Sequence, residues 1–177
     1  MKYKIALIGC GRISFKHIEA FVAMQDKVDL VAVCDPVAER AEEKRAEYTK
    51  AVPDASVKVF SDYKEMLETC KPEIVTIATE SGKHKDIAVH CLQNGSHVIC
   101  EKPMALSTAD AQQMIDTAKQ YGKTLAVCFQ NRFNAPVVKA REAYEKGRFG
   151  KMLHGMIQVR WNRNKSYYDQ AKWRGTW

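Results

Sequence analysis

The feature that most constrains the fold is a repeated alternation of short apolar runs with helix-like segments. The runs are continuously apolar, and they occupy residues 3–9, 28–35, 73–79, 96–101 and 124–129. Strands of this kind are typical of a parallel sheet whose two faces are both covered.

The segments between these runs carry apolar residues at helical spacing. Two stripes are clear: Phe15, Ile18, Phe21 and Val22 in one segment, and Ala111, Met114, Ile115, Ala118 and Tyr121 in a later one. Ser107 with Asp110 resembles a capping box that starts the later helix, and Gly122 stands where its C-terminal glycine would lie. We therefore predict an α/β protein with a Rossmann-type, doubly wound parallel sheet.

The alternation of strands and helices stops near residue 135. A helix-like stretch (140–151) ends in glycines, and residues 152–161 alternate partly as a half-solvated strand would. The tail (162–177) is aromatic and basic, without a regular period. We predict a dinucleotide-binding domain at 1–128, and at 129–177 a junction, placed near Gly150, with the unfinished start of a second α+β domain for substrate binding and oligomerisation.

Charge and composition exclude several classes of protein. The net charge is +7, but Lys and Arg are spread along the chain, so a phosphate-bearing small molecule explains the excess as well as nucleic acid would. Six cysteines lack a C-x-x-C pair and five histidines lack metal-ligand spacing, which predicts buried free thiols and no metal. No apolar run is long enough for a membrane span and the start lacks a signal-peptide pattern, so we expect a cytoplasmic protein without a membrane partner.

A glycine pattern follows the first predicted strand, with Gly9 and Gly11 in the turn and Ser14 opening a helix. The first glycine permits a tight turn, the second lets the backbone approach a pyrophosphate, and the third position requires a small residue. A plain strand-to-helix turn is the alternative. We predict that Gly9, Gly11, Arg12, Ile13 and Ser14 hold the phosphates of a dinucleotide at the helix N-terminus.

Asp35 ends the second predicted strand, 21 residues after Ser14. A carboxylate at this distance can accept hydrogen bonds from the adenosine ribose and repel a 2′-phosphate, which favours NAD over NADP. The alternative is an Asp-Pro turn residue. Arg40, in the following helix, leaves NADP as the alternative cofactor.

Two further strand ends carry polar residues. After the strand 73–79 come Thr79, Ser81 and His84, and the histidine is equally well explained as an ordinary first-turn residue of a helix. Glu101 and Lys102 follow the strand 96–101, and a proline restricts the backbone of the lysine before it. At the carboxyl edge of such a sheet, Lys102 would face the nicotinamide and polarise or deprotonate a reacting hydroxyl. An ordinary surface turn is the alternative.

Together, the Gly-x-Gly turn, Glu-Lys-Pro and a late Trp-Arg resemble the Gfo/Idh/MocA family of sugar and cyclitol oxidoreductases. The resemblance implies that Lys102 is catalytic and touches nicotinamide and substrate, and that Glu101 contacts the cofactor. It also implies cofactor contacts by Thr79, Ser81, His84, Gln130, Asn131, Trp173 and Arg174, with Glu80 standing where proline is usual. Within the family, "GCGRIS", "NRFN" and "YYDQAKWRGTW" resemble bacterial dehydrogenases that oxidise the 3-hydroxyl of UDP-N-acetylglucosaminuronic acid in surface-polysaccharide synthesis.

The resemblance also implies that a catalytic aspartate and histidine would follow Trp177, so this chain alone is expected to bind a dinucleotide more readily than to catalyse. We expect a sugar or nucleotide-sugar substrate and a homo-oligomer for a full-length protein. Two other hypotheses stay open: a dinucleotide-sensing regulatory protein without turnover, and a nucleic-acid binder that uses the aromatic, basic tail.

Overall fold

The structure, a computed structural model, describes residues 2–171 and Arg174. Six strands are present: β1 (Tyr3–Ile8), β2 (Val28–Cys34), β3 (Lys58–Phe60), β4 (Ile74–Ile77), β5 (His97–Cys100) and β6 (Leu125–Val127). The helices are α1 (Ser14–Ala23), α2 (Ala38–Ala51), α3 (Tyr63–Cys70), α4 (His84–Gln93), α5 (Thr108–Gln120), α6 (Ala135–Glu145) and α7 (Lys165–Asp169). All five apolar runs form strands, as predicted.

The strands form one parallel sheet in the order β3-β2-β1-β4-β5-β6. The chain runs outward from β1 to β3, then returns to β4 beside β1 and continues to the other edge. This reversal is the topological switch point of a doubly wound fold, and ligands bind there, outside the carboxyl ends of the strands. The predicted Rossmann-type fold is confirmed.

The sheet is covered on both faces, and β1 shows how. Ile5 and Leu7 pack on one side with residues of α1 and α2, while Ala6 and Ile8 pack on the other with residues of α3, α4 and α5. All four side chains are at most 3% exposed. A strand buried on both faces must be apolar at every position, which explains the continuous runs in the sequence.

The predicted apolar stripe of α1 is only partly correct. Ile18 and Phe21 are buried as expected and Val22 is partly buried, but Phe15 is 39% exposed. The buried face of this helix includes Ser14 instead, because the small side chain lets the first turn lie close to the glycine loop.

Helix α5 starts and ends where the sequence predicts. Ser107 is its N-cap, and Ser107 Oγ accepts the Asp110 N–H at 3.1 Å. Gly122 follows the C-cap residue with a φ of +62°. These local capping contacts stabilise helix ends by about 1 kcal/mol each.

All six cysteines are free thiols. Cys10, Cys34, Cys91 and Cys100 are buried, and burial raises the pKa of Cys100 to about 12. These four behave as small apolar core residues, as predicted, whereas Cys70 and Cys128 are only partly buried, against the prediction. Among the residues that the structure describes, no helix combines the length and apolar character needed to cross a membrane.

The chain divides into two compact units, residues 1–128 and 129–177. The first unit contains the whole sheet and α1 to α5. In the second unit, α6 ends before Gly147 and Gly150, which both have a positive φ, as the helix-like pattern indicated. The division of labour between a cofactor domain and a substrate domain stays a prediction.

One prediction for the second unit is wrong. Residues 152–161 form no strand, because a strand requires a hydrogen-bonded neighbour and the described residues supply none to this segment. The tail has no regular period in its sequence, yet it contains the short helix α7. Asn164 caps this helix by accepting the Tyr167 N–H at 3.2 Å, a local signal that an aperiodic pattern hides.

Candidate functional site

Gly9 directly follows β1, in a backbone conformation that residues with a side chain rarely adopt. Its φ is +92°, and its N–H donates to the Cys34 carbonyl at 2.8 Å. A Cβ atom here would lie 2.6 Å from the Ala78 carbonyl carbon and 2.7 Å from the Thr79 nitrogen. Glycine therefore allows the turn to pass directly against the end of β4, at the switch point of the sheet.

Gly11 has the opposite surroundings, since a Cβ built on it would meet no atom within 4 Å. The open space lies beside the N-terminus of α1, where the helix dipole favours an anion. Ser14 is buried, and its hydroxyl donates to the Gly11 carbonyl at 2.5 Å. Arg12 and Ile13 are exposed on this loop. An open backbone above a helix N-terminus fits a dinucleotide pyrophosphate.

Asp35 ties the end of β2 to the glycine loop. It is 6% exposed, and its Oδ2 accepts the Cys10 N–H at 2.8 Å while Oδ1 accepts the Val37 N–H at 2.9 Å. Each carboxylate oxygen keeps a second lone pair, which could accept from a ribose hydroxyl. Arg40 is exposed in the first turn of α2. Sequence reasoning missed the hydrogen bond to the glycine loop, since it joins positions 25 residues apart.

The loop after β4 places Thr79, Ser81 and His84 close to the next strand end. Ser81 begins a short 3₁₀ turn (Ser81–Lys83), and His84 starts α4. The His84 ring is 1% exposed, with Nδ1 2.8 Å from the Pro103 carbonyl oxygen and Nε2 3.1 Å from the Thr79 carbonyl oxygen. Both ring nitrogens thus face main-chain oxygens, and a cofactor contact by His84 stays a prediction.

Glu101 is the buried member of the Glu-Lys-Pro segment. Its N–H donates to the Ile77 carbonyl at 2.9 Å, which extends the β4–β5 pairing. Its Oε1 lies 3.1 Å from His17 Nε2, and its Oε2 accepts the Lys102 N–H at 3.2 Å. Burial alone would raise the pKa of Glu101, but the contacts with His17 and Lys102 outweigh it and hold the pKa below its usual value.

Lys102 itself is exposed, and the peptide bond between it and Pro103 is cis. The lysine therefore leaves the carboxyl end of β5 with its main chain held by a buried carboxylate and its side chain in solvent. Such a side chain is available to a ligand over the sheet edge.

His17, on α1, is the contact that sequence reasoning missed. It lies three residues after Ser14 and one before Ile18, on the buried side of the helix. A polar residue on the buried side of a helix, next to a glycine loop, was the available signal. With Glu101 and Cys128 it forms a group whose nitrogen, oxygen and sulfur atoms all lie within 4.8 Å of one another. Burial, followed by the nearby Glu101 carboxylate, raises the pKa of Cys128 to about 11. The sequence-based expectation that the protein binds no metal stays a prediction.

The remaining predicted site residues belong to the second unit. Gln130 and Asn131 are exposed in a 3₁₀ turn (Gln130–Phe133). Arg174 lies over the Tyr167 ring at 4.3 Å and donates to the Tyr167 carbonyl at 2.6 Å. Trp173 lies outside the described residues. Cofactor contacts by these four residues stay predictions.

The family model described as an oxidoreductase family with an NAD-binding Rossmann fold, Gfo/Idh/MocA, matches residues 3–129. The chain belongs to this family. Its cofactor is therefore NAD, as predicted, and the glycine loop and Asp35 fit it.

This chain is also similar to the following three dehydrogenases. WlbA dehydrogenase of Bordetella pertussis, crystallised with NADH and UDP-GlcNAcA, is 36% identical with a TM-score of 0.91, over 99% of this chain and 51% of that one. The Chromobacterium violaceum WlbA complex with the same ligands is 35% identical with a TM-score of 0.87, over 99% and 49%. D-glucoside 3-dehydrogenase of Escherichia coli is 32% identical over 84% of this chain and 41% of its own length. This chain thus spans about half the length of these proteins or less.

Proposed function

We propose that the chain is the cofactor-binding part of an NAD-dependent dehydrogenase that oxidises a secondary hydroxyl of a sugar. Lys102 carries the proposal. Its exposed side chain follows Glu101, and Glu101 contacts the helix that begins at the glycine loop. A cofactor held at that loop and extending across the switch point would bring its nicotinamide to the same edge of the sheet.

The residues of this chain would divide the work in the following way. When bound, NAD would accept the hydride from the carbon that carries the hydroxyl. As the carbonyl forms, the hydroxyl proton must leave, and a positioned lysine can polarise the oxygen or take the proton. The glycine loop would hold the pyrophosphate, and the buried Asp35 would accept from the ribose and disfavour a 2′-phosphate.

We propose further that the substrate is a nucleotide sugar, UDP-N-acetylglucosaminuronic acid, oxidised at its 3-hydroxyl. Support comes from the two WlbA complexes, which were crystallised with this sugar nucleotide, and from a net charge of +7 that suits a polyanionic ligand. A role in surface-polysaccharide synthesis, a cytoplasmic location and a homo-oligomer belong to this same proposal.

The test is turnover by the complete protein with NAD, followed by the absorbance of NADH. UDP-N-acetylglucosaminuronic acid should be oxidised, whereas myo-inositol and a simple glucoside at the same concentration should react at least about tenfold more slowly, a modest specificity for a site built around polar groups. A preference for inositol or glucoside would refute the nucleotide-sugar assignment and leave the dehydrogenase. Tight NAD binding without turnover of any sugar would instead support a dinucleotide-sensing protein.

A further inference from the structure

The segment Glu101-Lys102-Pro103 contacts a histidine on each side of the lysine. His17 contacts the Glu101 carboxylate, and His84 faces the Pro103 carbonyl. We propose that His17 and His84 are positioning residues, which hold the main chain on both sides of Lys102 so that its amine reaches one place. The effect on turnover rests on the proposed function, but the hold on the main chain does not.

On the first side the contacts form a continuous series. His17 Nε2 lies 3.1 Å from Glu101 Oε1, and the other carboxylate oxygen accepts the Lys102 N–H at 3.2 Å. The side chains of His17 and Glu101 are only 12% and 11% exposed. Water therefore competes weakly for these hydrogen bonds, and an imidazole–carboxylate contact is stronger there than on the surface. Helix α1 thus fixes the main chain on the N-terminal side of Lys102.

On the C-terminal side of Lys102, Pro103 offers a single polar main-chain group. Because proline has no N–H, only its carbonyl oxygen can accept a hydrogen bond that fixes the main chain after Lys102. His84 Nδ1 lies 2.8 Å from that oxygen, and its ring is 1% exposed at the start of α4. Nε2 of the same ring lies 3.1 Å from the Thr79 carbonyl oxygen, but a neutral imidazole has one N–H to donate, and the shorter distance favours the Pro103 oxygen.

The hold matters because the lysine side chain is long and exposed. Four rotatable bonds separate its amine from the backbone. A small rotation of the main chain at Cα therefore becomes a large displacement of the amine nitrogen. Catalytic groups lose rate steeply when they are misplaced by about 1 Å. Fixing the main chain before and after Lys102 removes that contribution without any contact to the amine itself.

The two histidines use different ring nitrogens, which gives a crossed test. The amide nitrogen of glutamine can occupy the place of Nε2, and that of asparagine the place of Nδ1. At position 17, His17→Gln should keep turnover within about threefold of wild type and His17→Asn should lower kcat at least about tenfold, the scale of lost supporting contacts. At position 84 the order should reverse, with His84→Asn active and His84→Gln impaired.

The affinity for NAD separates positioning from cofactor contact. All four variants should bind NAD within about twofold of wild type in calorimetric titration, because His17 faces the Glu101 carboxylate and both ring nitrogens of His84 face main-chain oxygens. For His84 this proposal replaces the cofactor contact that the family resemblance implied. A matched loss of NAD affinity in His84→Asn and His84→Gln would overturn the proposal for that residue. Equal loss of kcat in both variants at either position would do the same, because general damage to the fold does not distinguish the two ring nitrogens.

A second measurement does not depend on catalysis. Amide hydrogen exchange at Lys102, followed by NMR in this chain, reports the hydrogen bond to the Glu101 carboxylate. His17→Asn should speed exchange at Lys102 by about tenfold or more, and His17→Gln should not, as expected when a local hydrogen bond is loosened. The control is Lys16→Ala, one residue away, where the exposed ion pair with Glu19 is removed and exchange should not change.

These outcomes separate the two proposals. Faster exchange in His17→Asn, in a protein that oxidises no sugar, would keep the hold on the lysine and refute the dehydrogenase. Unchanged exchange in that variant, in a protein with full turnover, would refute the role of His17 and keep the dehydrogenase.

Discussion

The carboxylate of Asp35 accepts the backbone N–H of Cys10 at 2.8 Å, in the turn between Gly9 and Gly11. One buried side chain therefore has two roles to serve: it shapes the loop that would hold the pyrophosphate, and it presents its remaining lone pairs where a ribose would lie. If Asp35 binds the ribose as we propose, cofactor selection and loop structure are coupled through this residue.

The first prediction concerns cofactor choice. NAD should bind this chain at least about tenfold tighter than NADP, a difference of about 1.4 kcal/mol, because a buried carboxylate repels the 2′-phosphate. Asp35→Asn keeps the size of the side chain but removes its charge, so it should reduce the preference for NAD over NADP. Calorimetric titration of both nucleotides measures it, and equal affinity for wild type would refute the assignment of Asp35.

The second prediction uses the two glycines as a matched pair. Gly9→Ala should lower the free energy of unfolding by about 3 kcal/mol or more, since the positive φ and the contact with the end of β4 both oppose a Cβ. Gly11→Ala should change stability by less than about 1 kcal/mol, yet weaken NAD at least about tenfold by filling the open side. Denaturant unfolding and calorimetry test the pair. Full NAD affinity in Gly11→Ala would place the cofactor elsewhere.

The third prediction concerns the lysine. In the complete protein, Lys102→Ala should lower kcat by about 10²-fold or more and leave NAD affinity nearly unchanged, as expected for a general acid–base group. An exposed turn lysine without a catalytic role would affect neither quantity. Near-wild-type turnover at saturating cofactor and substrate would remove Lys102 from the mechanism.

The fourth prediction concerns pH. The pKa of Glu101 is lower in the folded chain than in an unfolded one, so its ionisation stabilises the fold above the unfolded pKa, about 4.3. That contribution is lost as the pH falls through the folded pKa. The difference in unfolding free energy between wild type and Glu101→Gln should therefore be largest near neutrality and shrink below about pH 4. A difference that stays constant between pH 3 and pH 7 would contradict the assigned shift.

The fifth prediction concerns Thr76 on β4. Its hydroxyl is fully buried and has no hydrogen-bond partner within the described part of the chain. Thr76→Val should stabilise the fold by about 1 kcal/mol, because the desolvated hydroxyl is removed at constant shape. Thr117→Val is the control, since the Thr117 hydroxyl donates to the Gln113 carbonyl at 2.8 Å and its loss should not stabilise. Thermal unfolding of the two variants measures the contrast.

Local chemistry was enough to predict much of this protein. Each strand buried on both faces must be apolar throughout, and each helix end leaves N–H and C=O groups that nearby residues such as Ser107 satisfy. Gly9, Gly11 and Ser14 could be placed at a strand-to-helix turn for the same reason, since the constraints act within a few residues. The strand predicted at 152–161 failed because a strand also depends on a partner, which a local pattern does not contain.

The sequence by itself determined the alternation of elements, the fold class, the glycine loop and the position of Lys102 at a strand end. Only the tertiary structure decided which groups hold that lysine. His17 and Glu101 are 84 residues apart, and His84 and Pro103 are 19 apart, so their contacts exist only because β1, β4 and β5 lie side by side. Periodicity places a residue on a face of its own element, whereas the strand order decides what that face meets.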